Sequence, residues 1–133
     1  MISVLVDHNI EGHAKLLWST LPVEEWHAYG LETFITLAQC DLRNDTGDRI
    51  LYRFVQMHRH FLLTANRNQR GADSLGQVLK EECTPLSLPV ITLTNPNRLL
   101  RDSVYRLRCA MALAEIALEV ERFQGVSRMF IPF

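Results

Sequence analysis

The chain has 133 residues, the length of one ordinary domain with room for a substantial core, and residues 1–133 are read as a single unit. Hydrophobic residues at 47% and charged residues at 22% exclude a disordered tail. No apolar run approaches the ~20 residues that a membrane-spanning helix needs, so no membrane partner is expected. The net charge of −1 conceals an uneven distribution. Residues 1–42 hold six acids and one base, whereas residues 43–108 hold eleven bases, ten of them arginine, against six acids.

In chain order, the apolar and β-branched residues 2–6 (Ile-Ser-Val-Leu-Val) stop at Asp7, the pattern of a strand buried on both faces of a parallel sheet. A helix is expected from about residue 10. Ile10, Ala14, Leu17 and Leu21 recur at helical spacing, Trp18 widens the stripe and Pro22 closes it. Residues 23–28 read as a short strand weakened by its carboxylates, and residues 30–44 as either a short helix or a packed loop. Asp45 or Thr46 is expected to cap the next helix, whose apolar face carries Ile50, Leu51, Phe54 and Val55.

Phe61, Leu62, Leu63 and Thr64 form a second buried strand, followed by the polar run from Asn66 to Gly71. A helix through Leu75, Val78 and Leu79 leads to Pro85, and residues 89–94 form a third clear strand. Residues 99–123 read as one long helix with two apolar stripes. One carries Leu100, Val104, Leu107, Met111, Ala114 and Leu118; the other carries Ala110, Leu113, Ala117 and Val120. A surface that broad is expected to meet the sheet and also a second subunit, as a homodimer. The apolar residues 129–133 either join such a contact or fold back over the sheet edge.

Helices alternating with strands predict an α/β fold, a central, mostly parallel sheet of about four strands with helices on both faces. Ligands of such sheets bind at the carboxyl ends of the strands, where Asp7 and residues 66–68 fall. An aspartate directly after a buried strand is costly unless solvated, paired or bound to a cation. The simpler alternative is that Asp7 caps the following helix or accepts hydrogen bonds from Asn9 and neighbouring amides, and that Asp48 complements a helix dipole.

Arginine's planar fork suits phosphate, so the basic middle of the chain faces either a nucleic acid or a set of surface ion pairs. Arg67 and Arg70 stand in the loop after the second strand. Arg98 and Arg101 open the last helix, with Glu81, Glu82 and Asp102 as alternative partners. His58 and His60 lack a third ligand at metal spacing and read as a helix exit. Cys40, Cys83 and Cys109, odd in number and scattered, read as buried thiols of a reducing compartment rather than disulfides. The first residues offer neither a basic leader nor a small-residue cleavage site, so a cytoplasmic location is expected.

Three segments carry a resemblance. The stretch from Val4 to Asn9 (Val-Leu-Val-Asp-His-Asn) resembles the opening Leu-Val-Asp-Glu-Asn of small bacterial PIN-like proteins related to the VapC toxins. Asp48-Arg-Ile-Leu resembles their Asp-x-x-Ile helix start. Residues 61–68, Phe-Leu-Leu-Thr-Ala-Asn-Arg-Asn, resemble their apolar strand followed by Thr-x-Asp-x-Asp. The match runs in order over residues 2–94. It implies a PIN-like three-layer sandwich and a ribonuclease dependent on Mg²⁺ or Mn²⁺, in the manner of the toxin half of a toxin–antitoxin pair. Asp7 and Asp48 would be the catalytic acids, and Asp7, Asp48, Asn66 and Asn68 would hold the metal. Asn9, Thr64, Arg67 and Arg70 would meet the RNA.

The departures lie at Asn66 and Asn68, neutral where the family has carboxylates, and at His8, where it has an acid. Ligand charge is a main control on cation affinity, so these changes weaken a metal site. Asp73 is either a replacement acid or a helix cap. A second reading is therefore a PIN-like domain that has lost catalysis and binds RNA, an antitoxin or another protein. A nucleotide-binding module is the third, against which no Gly-rich phosphate loop follows any strand.

Overall fold

A computed structural model describes residues 1–133. Side chains alternate across a strand, and here the alternation sorts the core into two halves. Val4, Val6, Phe61, Leu63, Ile91, Leu93 and Ile131 point into a large cluster on one side of the sheet. Leu5, Leu62 and Val90 point into a smaller one on the other side. The strands are β1 (Ile2–Val6), β2 (Leu31–Thr36), β3 (Phe61–Thr64), β4 (Val90–Leu93) and β5 (Arg128–Ile131). They form one sheet in the order β2-β1-β3-β4-β5, every pair parallel. The chain thus has the expected α/β architecture, with five strands rather than about four.

The larger cluster is covered by α1 (Glu11–Trp18), α2 (Val23–Ala28), α5 (Pro96–Arg101) and α6 (Ser103–Leu118), through Ala14, Leu17, Trp26, Leu99, Cys109 and Leu113. Trp18 stacks on Trp26, centroids 5.1 Å apart, and the Trp26 Nε1–H donates to the Trp18 carbonyl. The smaller cluster is covered by α3 (Asp48–His58) and α4 (Leu75–Glu82), through Leu51, Tyr52, Val55, Leu75, Val78 and Leu79. No helix is long and apolar enough to cross a membrane.

Several expectations are corrected. Residues 23–28 are the helix α2 and not a strand, because Pro22 starts it as its N-cap residue while also ending the turn after α1. The strand lies just beyond, as β2, entered through Gly30 at φ +90°, a backbone conformation that L side chains rarely adopt. Gly47 stands at the N-cap of α3 with no side-chain cap, since Asp45 is held by Arg43 instead. Ile50 is exposed on that helix, and Tyr52 takes the buried place.

The long last helix is broken at Asp102. Its extended backbone ends α5, and its carboxylate caps α6 through the Tyr105 amide. A short α7 (Val120–Phe123) follows Glu119. The stripe of Ala110, Leu113 and Ala117 is buried, whereas Val104, Leu107, Met111 and Leu118 are exposed. Residues 128–131 cover the sheet edge as β5. The thiols are free, but only Cys109 is buried; Cys40 and Cys83 are half-buried.

The arginines divide. Arg49 binds Asp73, Glu81 and Glu82, and Arg53 binds Glu82, which ties α3 to α4. Asp73 is therefore engaged by Arg49 and does not line the hollow at the strand ends, and it is not the helix cap; Ser74 caps α4 through the Gln77 amide. Arg98 pairs with Asp102, and Arg101 donates to the Asn97 carbonyl. His58 and His60 stack at the exit of α3, beside Phe54.

Candidate functional site

The chain leaves β1 toward β2 on one side, and β3 lies on the other, so the strand order reverses between β1 and β3. A parallel sheet opens a crevice at such a point, outside the carboxyl ends of its strands. Asp7 follows β1 directly and Asn66 lies two residues beyond β3. Asp48 begins α3, whose N-terminus is brought to the same place. Asp7, Asn9, Asp45, Thr46, Asp48 and Asn66 line one open hollow of about 410 Å³.

Each half-buried carboxylate in it is held by a neighbour from β3 or from the loop that follows it. The Thr64 hydroxyl, itself buried, donates to Asp7 Oδ2 at 2.8 Å, while Asp7 Oδ1 accepts the Asn9 amide at 3.4 Å. The same Thr64 oxygen accepts the Asn66 backbone amide at 3.0 Å. The Asn66 side chain donates from Nδ2 to Asp48 Oδ2 at 3.1 Å. Capping and site-building are thus compatible: Asp7 caps the turn at residues 8–10 with one oxygen and meets Thr64 with the other.

Burial, and then the charge of Asp7, push the Asp48 carboxyl above the usual carboxylate range; the Asn66 amide and Arg128 pull against this. An acid whose proton affinity is raised by burial and by a second carboxylate across a shared hollow is common at sites that take a cation or a proton.

The asparagine oxygens are turned inward on their own loop. Asn66 Oδ1 accepts the Asn68 amide at 2.8 Å, and Asn68 Oδ1 accepts the Arg70 amide at 3.0 Å. These successive turns fix the loop after β3, and Asn68, Arg67 and Arg70 stand outside the hollow's lining. The loop rests on α4 through the Gly76 amide, which donates to the Asn68 carbonyl. His8 turns to Glu11 at 3.0 Å. No group of three or more His, Cys, Asp or Glu side chains is spaced to hold a metal ion.

Two neighbours were not legible from the sequence. Asp45 joins the rim, its carboxylate gripped by Arg43 at 3.0 Å and 3.2 Å. Arg128, from β5, donates through Nη1 to the Asn66 carbonyl and to the Thr92 hydroxyl, both at 2.7 Å. Thr92 is wholly buried, and this bond satisfies it. A basic residue among the apolar residues of a C-terminal strand was the only available signal. No family model, curated protein or solved structure matches this chain.

Proposed function

We propose that the chain is a metal-dependent ribonuclease of PIN-like type whose acidic site is reduced to two carboxylates. The observation that carries the reading is the meeting of Asp7 and Asp48 in one hollow at the reversal point of the sheet. An acidic lining there suits a cation. A nucleotide-binding module would instead present amides and glycines to phosphate, and the residues after β1 are Asp7, His8 and Asn9.

The donor set fits Mg²⁺ or Mn²⁺ in a definite way. These hard cations take oxygen ligands, and Mg²⁺ is commonly held by one or two carboxylates with the rest of its sphere from water and substrate phosphate. Asp7 and Asp48 supply the two carboxylates. The asparagine side-chain oxygens each accept a backbone amide of their own loop and add no charge. A bound cation would supply hydroxide near neutral pH and neutralise charge on the phosphate. Thr64 holds Asp7, and the Asn66 amide holds Asp48, so both acids stay oriented when no cation is present.

The deciding experiment is cleavage of single-stranded RNA by purified protein with Mg²⁺ or Mn²⁺. Expected is a cut that needs the metal, saturates only at high metal concentration, and falls at least 100-fold in Asp7→Asn. Folded protein that cuts no substrate with any of several divalent metals overturns the reading.

One observation favours the second reading, a binding domain without catalysis. The Asn66 Nδ2 donor points at Asp48 where the PIN-like pattern has a further acid, and it partly satisfies the charge a metal would otherwise meet. On that reading RNA binds without being cut, and Asn66→Asp creates divalent-cation affinity measurable by calorimetry.

A further inference from the structure

Most arginines near the smaller helical layer are neutralised. Arg49 alone has three carboxylates. Arg67 and Arg128 have none within ion-pair distance, yet they converge. Both guanidinium carbons stand over the Phe130 ring, at 5.3 Å and 5.7 Å from its centroid. The spacing explains it: Arg128 and Phe130 are two apart on β5 and project from the same face, while Arg67 reaches over from the loop after β3. Arg67 is anchored there by a bond from Nη2 to the Thr94 carbonyl at 2.7 Å.

Arg128 is half-buried, and both its hydrogen bonds leave from Nη1. Its Nε and Nη2 donors make no bond within the protein. Burial, and then the nearby Arg67 charge, push its proton affinity down. Placing a second unneutralised cation beside a half-buried one costs stability unless an anion joins them. No carboxylate stands within ion-pair distance of either arginine; the charge of Asp48 offsets the effect on Arg128 only in part. Phe130, 45% exposed, adds accessible aromatic surface beside the two charges.

We propose that Arg67, Arg128 and Phe130 form a subsite for a backbone phosphate of single-stranded RNA, adjoining the Asp7–Asp48 hollow. The Asn66 backbone connects the two, since its carbonyl takes Arg128 while its side chain takes Asp48. A strand crossing the carboxyl ends of β3 and β4 presents one phosphate to the acids and the next to the guanidinium pair. Arginine forks match phosphate oxygens, and an exposed aromatic beside them stacks a base without regard to sequence. The assignment deepens the nuclease reading and takes from it the identity of the anion as RNA.

The test is fluorescence anisotropy of a labelled single-stranded oligoribonucleotide in EDTA, so that binding is read apart from cleavage. Arg67→Gln is expected to weaken binding about 5- to 10-fold and to lower the slope of log affinity against log salt by about 1. Arg128→Gln should do the same, and Asp7→Asn should bind at least as tightly as the native chain. Because Arg128 also holds Thr92 and Asn66, its variant needs an unchanged circular dichroism spectrum; if that changes, the exposed Arg67 decides alone. Affinity and salt slope unaltered in Arg67→Gln overturn the subsite. Tight binding of inorganic phosphate with no affinity for the oligonucleotide overturns its assignment to RNA. Arginine-dependent binding without any metal-dependent cut keeps the subsite and retires the nuclease; cleavage indifferent to both arginines does the reverse.

Discussion

The Thr64 hydroxyl stands 2.8 Å from Asp7 Oδ2 and 3.0 Å from the Asn66 amide, so one oxygen joins the first strand's acid to the loop after the third. Its hydrogen goes to Asp7 and its lone pair receives Asn66. Thr64→Val keeps the shape, removes both bonds and leaves a half-buried carboxylate short of a partner. A loss of about 1–3 kcal/mol in urea unfolding is expected. Thr64→Ser, which restores the hydroxyl, should recover most of it. Equal stability of the Val variant and the native chain would show that Asp7 draws nothing from this contact.

Asp48 gives the opposite sign. Burial and then Asp7 raise its carboxyl above the ordinary range, so the folded state resists its ionisation. At pH 7 the unfolded chain releases that proton more readily than the folded one, and ionisation therefore costs stability. Asp48→Asn removes the charge, and the unfolding midpoint at pH 7 should rise. Below the ordinary carboxylate pKa of about 3.9 both forms are neutral and the advantage should vanish. A lower midpoint at pH 7 would mean that the Asn66 contact outweighs the cost of the charge.

The legible parts of the chain were those whose side chains face apolar surroundings on both sides. Residues 61–64 and 90–93 are buried throughout, so their sequence is continuously apolar or β-branched. β2 is an edge strand in which only Leu31 is buried, and Glu32 and Thr33 blur its pattern. β5 is the other edge and hides in the same way. Asp102 broke the last helix because a capping side chain competes with the apolar period, a contest that periodicity alone does not register. Asp7 announced itself by its place at a strand end. Arg128 did not, because its role depends on β5 lying beside β4 and on a side chain that reaches Thr92 and Asn66.

His60 makes stability depend on pH. Its Nδ1 is buried without a partner, and burial, then the charge of His58, lower its pKa, with Glu32 pulling weakly the other way. A base with a depressed folded pKa contributes its full stability above the unfolded value, about 6.5, and loses it as pH falls below that toward the folded value. Urea midpoints should therefore drop between pH 7.5 and pH 5. His60→Gln should flatten that part of the profile, and an unflattened profile would place the dependence elsewhere.

Thiol chemistry should separate the cysteines. Cys109 is buried in α6, and burial pushes its thiol up to about 11, with Arg108 and Arg98 pulling slightly against it. Little thiolate exists there at pH 8, and the thiolate is the nucleophile. A disulfide reagent should modify Cys40 and Cys83 in the folded protein, and Cys109 only after denaturant is added. Mass spectrometry of digested fragments reads the difference, and early labelling of Cys109 would show that α6 opens.

A pair of glycines tests how the site loop is seated. Gly12 in α1 has open space around it, so Gly12→Ala should gain up to about 1 kcal/mol from helix propensity. Gly76 in α4 faces the loop after β3, and an added Cβ would lie 2.7 Å from Gln69 Cγ and 3.0 Å from Gln69 Cα. The side-chain atom can swing aside, but the backbone atom cannot do so without moving the segment that carries Asn66 and Asn68. The propensity gain is then outweighed by overpacking, which typically costs about 1–3 kcal/mol. Gly76→Ala should be destabilised in urea and should weaken oligoribonucleotide binding, whereas Gly12→Ala should leave binding unchanged. A stabilised Gly76→Ala with native affinity would mean that the loop is not fitted to α4, and that the Asn66 contact to Asp48 does not depend on that seat.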